Sequence, residues 1–196
     1  MAKTIGDISN ILTGHVFRSK ISYSSEGNVN LLNMDAISAT GKVYIDKNNI
    51  KKAIISDIKN DEIIKSGDIL FKAKGLNNTA VLIKDIPLNT TVTSSCHIVR
   101  VTDSNFLPEF VCVWLNSAFA KKHFSKGSGQ ATGRTIANVS KGTLESLEIP
   151  LISINKQKLI SNLEECSKQE KDLLLKIAEK KELLNRAIIE RELQKN

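Results

Sequence analysis

The sequence predicts an α+β protein in which a β-rich domain, residues 1–154, precedes one long helix, residues 155–196. Two observations divide it there. The first part breaks into short β-branched runs separated by turn clusters, the pattern of strands in a small sheet domain. From Asn155 onward no proline or glycine occurs, and apolar residues recur on alternating four- and three-residue steps, the spacing of a coiled-coil seam.

Strands are expected at KVYI (42–45), KKAIIS (51–56), DILFKA (68–73), TAVLI (79–83), SCHIVRV (95–101) and LESLEIPL (144–151). In SGDILF (66–71), Gly67-Asp68 supplies turn geometry and Ile69, Leu70 and Phe71 follow as an immediately buried strand. Residues 107–124, LPEFVCVWLNSAFAKKHF, place Phe110, Val113, Trp114, Ala118 and Phe124 near helical spacing. Pro108 early and Lys121 and Lys122 late fit the ends of one helix.

In the C-terminal part the seam runs through Leu159, Leu163, Cys166, Leu173, Ile177, Leu184 and Ala187, interrupted by Glu170 and Lys180. Leu174, Ile188 and Ile189 widen the apolar stripe. A helix of about 40 residues is roughly 60 Å long at its standard rise, more than a domain of about 150 residues can cover. The seam therefore calls for a partner helix.

The 196 residues are 41% hydrophobic and 25% charged, an ordinary soluble composition with a formal charge of +7. Residues 155–196 carry 10 Lys/Arg and 8 Asp/Glu, which leaves 28 − 10 = 18 against 21 − 8 = 13 for the first part. The helix is nearly balanced and the domain is basic, which favours a polyanionic partner. The basic residues concentrate: between Phe110 and Leu144 stand Lys121, Lys122, Lys126, Arg134 and Lys141 with no acid. Neither a secretory leader nor an apolar stretch long enough to span a membrane is present, so a cytoplasmic protein is expected. Cys96, Cys112 and Cys166 are far apart and form no CxxC pair, as reduced thiols would be.

The loop KGSGQATGRTIANVSKG (126–142) is glycine-rich and basic. A nucleoside-triphosphate loop needs Lys-Ser/Thr after its last glycine; here Gly127, Gly129 and Gly133 are followed by Arg134-Thr135. A DNA methyltransferase needs a catalytic tetrapeptide of the Asn-Pro-Pro-Tyr kind, and the chain has no Pro-Pro. Glu179-Lys180-Lys181 matches the end of a nuclease motif but lies on the long helix without a strand-borne Asp. His15, His97 and His123 have no ligand-type neighbours at metal spacing, and His97 within an apolar strand reads as a packed histidine. No catalytic or metal-binding set is expected. A grip on nucleic acid remains, with glycine N–H groups close to phosphate, Arg134 suited to a guanine edge, and Gln130 or Asn138 to adenine. A solvated loop is the alternative.

Three segments carry a family resemblance: TIGDISNILTGHVFRSK (4–20), IIKSGDILFKAKG (63–75) and the run from Phe110 to Leu163. The chain resembles one half of the specificity (S) subunit of type I restriction-modification enzymes, a single target-recognition domain with one long conserved helix. In that family a "kxGDil" segment precedes a strand, a helix ends shortly before a "GxxQ"-like loop, and a run of the form "ip.p…kQ..I" leads into the coiled coil. Pro150, Lys156, Gln157 and Ile160 stand in the last of these, while Ile152-Ser153-Ile154 replaces a common second proline. The resemblance covers essentially the whole chain.

It implies a non-catalytic subunit that reads double-stranded DNA and recruits modification subunits, which bring S-adenosylmethionine and methylate adenine. A restriction subunit is a further implied partner. Family members carry two such units in tandem, whereas no internal repeat occurs here, so an antiparallel homodimer through the long helix is expected to read inverted half-sites. Arg18, Lys20, Lys72, Lys74, Lys121, Lys122, Lys126 and Lys141 are the candidate phosphate contacts. Gln130, Arg134 and Asn138 are the candidate base contacts. The competing reading is a coiled-coil adaptor that never touches DNA.

Overall fold

In the computed structural model of the chain, the described residues are 3–18, 20–32, 50–75, 78–127 and 137–194. The elements run β1 (Lys3–Thr4), α1 (Ile5–Ile8), β2 (Ser9–Thr13), β3 (Val29–Leu32), β4 (Ile50–Ala53), β5 (Ile69–Lys72), β6 (Lys74–Gly75), β7 (Ala80–Leu82), β8 (Thr90–Val92) and β9 (Cys96–Val101). Then follow α2 (Pro108–Leu115), α3 (Ala118–Gly127), β10 (Ala137–Asn138), α4 (Lys141–Glu145), β11 (Glu148–Ile149) and α5 (Ile154–Leu193). The β-rich α+β class with a long C-terminal helix is what the sequence predicts. By contact density the chain divides into Met1–Lys158 and Leu159–Asn196.

Four antiparallel strands form the main sheet in the order β2-β9-β5-β7. Ile69, Leu70 and Phe71 are all fully buried on β5, because a strand flanked on both sides and covered on both faces shows no polar alternation. A second sheet, β4-β3-β8, pairs β3 with β8 in parallel. Alternation along β3 splits its side chains: Leu32 packs with Leu70, Val92 and Ile98, whereas Val29 and Leu31 face Ala53 and Ile55. β1 pairs with β11, and β10 with β6, in two-residue ladders.

The turn before β5 shows why Gly67 and Asp68 stand together. Gly67 adopts φ +89°, open to glycine without strain. Asp68, only 2% exposed, accepts from the Lys65 N–H at 2.8 Å and takes the Arg100 guanidinium through both oxygens at 2.8 and 2.7 Å. Arg100 also donates to the Ile63 carbonyl. The acid thereby locks the turn to β9.

Three expected strands appear with edges trimmed by a residue or more, as β5, β7 and β9, and the one expected over 51–56 is β4, shifted to start one residue earlier and end at Ala53; the one expected at 42–45 lies outside the described residues. Two expectations are corrected. The single helix over 107–124 is two, α2 and α3, because Asn116 ends the first by turning its amide onto the edge strand β7. It donates to the Ala80 carbonyl at 2.8 Å and accepts from the Ala80 N–H at 2.9 Å, supplying what a neighbouring strand would. Ser117 then opens α3, accepting from the Ala120 N–H. The strand expected over 144–151 shrinks to Glu148–Ile149, since Ser140 caps a short helix by accepting from the Thr143 N–H and so turns Leu144 inward. β2, β3 and β8 are strands that the turn-and-run pattern does not reveal, because SNILT, VNLL and TTV are short and partly polar.

α5 is helical for 40 residues. Its first turn belongs to the domain: Gln157 is fully buried, accepting from the Leu107 N–H at 2.9 Å and donating to the Asn105 and Ile152 carbonyls at 2.8 and 2.9 Å. From Leu159 on the helix forms the second unit. Glu164–Lys168 and Glu182–Arg186 form ion pairs one turn apart, and the apolar residues stand in solvent.

Candidate nucleic-acid interface

The sequence-predicted loop residues Gln130 and Arg134 lie outside the described residues. The described elements before and after them in sequence are α3 and β10. β10 pairs antiparallel with β6, and the register sets Asn138 directly opposite Lys74. Facing residues of such a ladder point to the same side, with Cβ atoms about 5 Å apart. A candidate base-reading amide thus sits beside a candidate phosphate-binding ammonium, and both are exposed.

Lys72 joins them. Gly75 has φ +124°, and a Cβ there would stand 3.3 Å from the Lys72 Cε, so the lysine stem passes along the bare glycine. The Asn78 amide donates to the carbonyls of Lys72 and Ala73, tying the stretch before β7 to the backbone just ahead of β6.

Behind this ribbon lies His97, 5% exposed. Its Nε2–H donates to the Val139 carbonyl at 3.0 Å, and a carbonyl can only accept, so the second contact is the Thr13 hydroxyl donating to Nδ1 at 3.3 Å. Burial chiefly holds the imidazole below its ordinary pKa; Lys141 and Lys74 act the same way, against the Val139 hydrogen bond and Glu145. The charges of Lys72, Lys74 and Lys141 are all felt at Cys96-His97, and the Cys96 thiol is pushed up to about 12 by burial despite Lys72. That thiol is no nucleophile at neutral pH.

Lys121, Lys122 and Lys126 are exposed on α3. Lys141, in α4, has the Glu145 carboxylate at 3.6 Å, an exposed pair that offsets part of its charge. Arg18 and Lys20 are exposed on the stretch between β2 and β3. The structure therefore brings together Lys72, Lys74, Asn138 and Lys141, sets three lysines on the helix leading into the loop, and leaves Arg18 and Lys20 on a separate segment. In the second unit, Leu159, Leu163, Leu173, Ile177 and Leu184 are 54–70% exposed, and Cys166 and Ala187 are exposed with them.

Among the described residues, no group of three His, Cys, Asp or Glu could hold a metal ion, and no helix is long and apolar enough to cross a membrane. His123 lies 3.1 Å from the Ser146 hydroxyl, yet its Nε2 also meets the Thr143 carbonyl at 3.1 Å. That carbonyl demands the proton, so Nε2 is no base for the serine.

Sequence reasoning missed the supports of this surface. Thr13 and Val139 hold the ribbon through contacts with His97 that are remote in sequence, and Asn78 through carbonyls five and six residues away. His97 was legible only as a packed residue, and Gln157 only through the family pattern.

The family model described as "Type I restriction modification DNA specificity domain" matches residues 1–177. No curated protein sequence matches the chain at a significant level. Among solved structures, the HsdS subunit from Thermoanaerobacter tengcongensis superposes with a TM-score of 0.60 at 15% identity, covering 88% of this chain and 43% of that one. A chain from a study of complex assembly and conformational transition of the type I R-M system gives 0.62 at 15% identity, with the same coverage. The type IIG restriction endonuclease BpuSI gives 0.57 at 9% identity, covering 82% of this chain and 26% of that one. At these identities the likeness is one of fold, and the chain spans less than half of each structure. With the family model covering the domain and more than half of the long helix, the chain belongs to the type I restriction modification DNA specificity domain family.

Proposed function

We propose that the chain is a DNA-reading specificity subunit of a type I restriction-modification system, in the form of one recognition unit. The family match over residues 1–177 carries this reading, since it includes both the domain and much of the helix. The Lys74–Asn138 pair supports it: an ammonium positions a phosphate, and a neighbouring amide reads a base edge. Lys121, Lys122 and Lys126 add three exposed cations on α3.

In this reading the chain performs no chemistry of its own. Residues 1–154 read duplex DNA, and residues 155–196 pair antiparallel with a second copy and carry the modification subunits. Those partners bind S-adenosylmethionine and methylate adenine, and a restriction subunit joins them. Twofold symmetry then fixes two inverted half-sites with unread bases between. The complex works in the cytoplasm.

Selection from a randomised duplex pool, with and without the neighbouring modification subunits, tests this. A recovered bipartite motif is the expected result. Binding of the subunits with no enrichment of any sequence would leave the adaptor reading in its place.

A further inference from the structure

The break between α2 and α3 has a product on the outer surface. Trp114, on the last turn of α2, and Phe119, at the start of α3, stack with ring centroids 5.8 Å apart and planes 13° from parallel. Phe119 remains 72% exposed. The two rings line a cleft of about 460 Å³ together with His123, Ser146, Glu148 and Pro150. His123 and Ser146 also line an adjoining cleft of about 470 Å³ that holds Lys126 and Thr143. The two form one groove, aromatic at one end and cationic at the other.

We propose that this groove docks a segment of another protein, one that presents a large apolar side chain to Trp114 and Phe119 and a carboxylate to Lys126. Charge complementarity selects the occupant. The cationic end calls for an anion, but the aromatic end carries the exposed Glu148 carboxylate, which repels a phosphate chain laid along the groove. The Trp114 indole N–H is already donated to the Glu148 backbone carbonyl at 2.8 Å, so it offers a base no hydrogen bond. The facing surfaces of the two rings are spent on each other. An apolar anchor asks only for contact area there, and aromatic residues lining a pocket are the usual seat of such anchors. The aromatic end is separate from the DNA reading, while Lys126 is shared with the candidate DNA surface.

Trp114 is the only tryptophan in the chain, so its emission reports on the groove. A displayed random dodecapeptide library is selected on the full chain and, in parallel, on Phe119→Ser and Lys126→Glu chains. Both substitutions are at exposed positions, and an unchanged Tm verifies that each variant is folded. The expected result is recurring peptides with an aromatic or large aliphatic residue and a nearby Asp or Glu. Made synthetically, they shift Trp114 emission and bind both variants at least about tenfold more weakly. Peptides that recur without an acid, that bind the variants as tightly, or that never recur would overturn the proposal. So would a Trp114 shift produced instead by single-stranded oligo(dT), or by a synthetic peptide of residues 181–194, which would assign the groove to nucleic acid or to a second copy.

Discussion

The Leu107 backbone N–H donates to the side-chain carbonyl of Gln157 across 2.9 Å, joining positions fifty residues apart. Leu107 precedes Pro108, the first residue of α2, so its N–H lies where no helix partner exists. Gln157 supplies one, and its own amide group is used on Asn105 and Ile152. One side chain thus closes the entry of α2 and holds the first turn of α5.

Gln157→Ala should therefore destabilise the domain by about 2–4 kcal/mol, because three backbone groups lose a buried partner together. Denaturant unfolding checks this through a lowered midpoint at constant slope. A loss below about 0.5 kcal/mol, the size of an ordinary surface change, would show that the network is dispensable.

Asp68→Asn should cost about 2–4 kcal/mol, somewhat below a fully buried pair because Arg100 keeps some solvent contact. Adding Arg100→Gln should recover part of that loss, since an unpartnered guanidinium is then removed. A double-mutant cycle in urea gives the coupling; additive losses would contradict the bidentate lock.

The depressed pKa of His97 makes stability pH-dependent. The unfolded chain takes up the proton first, so stability is full above the ordinary imidazole value of 6.5 and falls as pH drops below it, until the folded imidazole protonates in turn. His97→Gln should flatten the decline in Tm between pH 7 and 5, and equal slopes in both proteins would refute the assignment. Asp103 titrates elsewhere: Lys3, with the Asn105 backbone and side chain, lowers it to about 2, so its contribution disappears only as pH falls below the ordinary carboxylate range.

On DNA, Lys74→Gln and Lys126→Gln should each weaken binding to every duplex and lower the salt slope by about one. Asn138→Ala should instead relax preference at one base pair, at a cost of about 1–3 kcal/mol. Titrations of cognate and scrambled duplexes at several salt concentrations separate the two, and equal losses for Asn138→Ala on both would remove its base-reading role.

Leu173→Glu with Ile177→Glu places two carboxylates in the α5 seam and should convert a dimer to a monomer. Sedimentation velocity reads the change. An unaltered sedimentation coefficient, with the domain melting as before, would take the seam out of the interface.

The amino-acid sequence alone determined the two-part grammar, the long helix to within one residue at its start, and the position of β5 and β9. Those features rest on local period: a seam repeating along one helix face, and β-branched runs bounded by turns. Tertiary structure decided what depended on remote partners. Asn116 splits a helix because Ala80 on an edge strand offers it both backbone groups. Ser140 is read as a cap only once Leu144 has a core to enter. Lys74 meets Asn138 through the register of two separate strands, which no spacing along the chain records. Trp114 and Phe119, within one expected helix over 107–124, instead wall a groove because the chain turns between them.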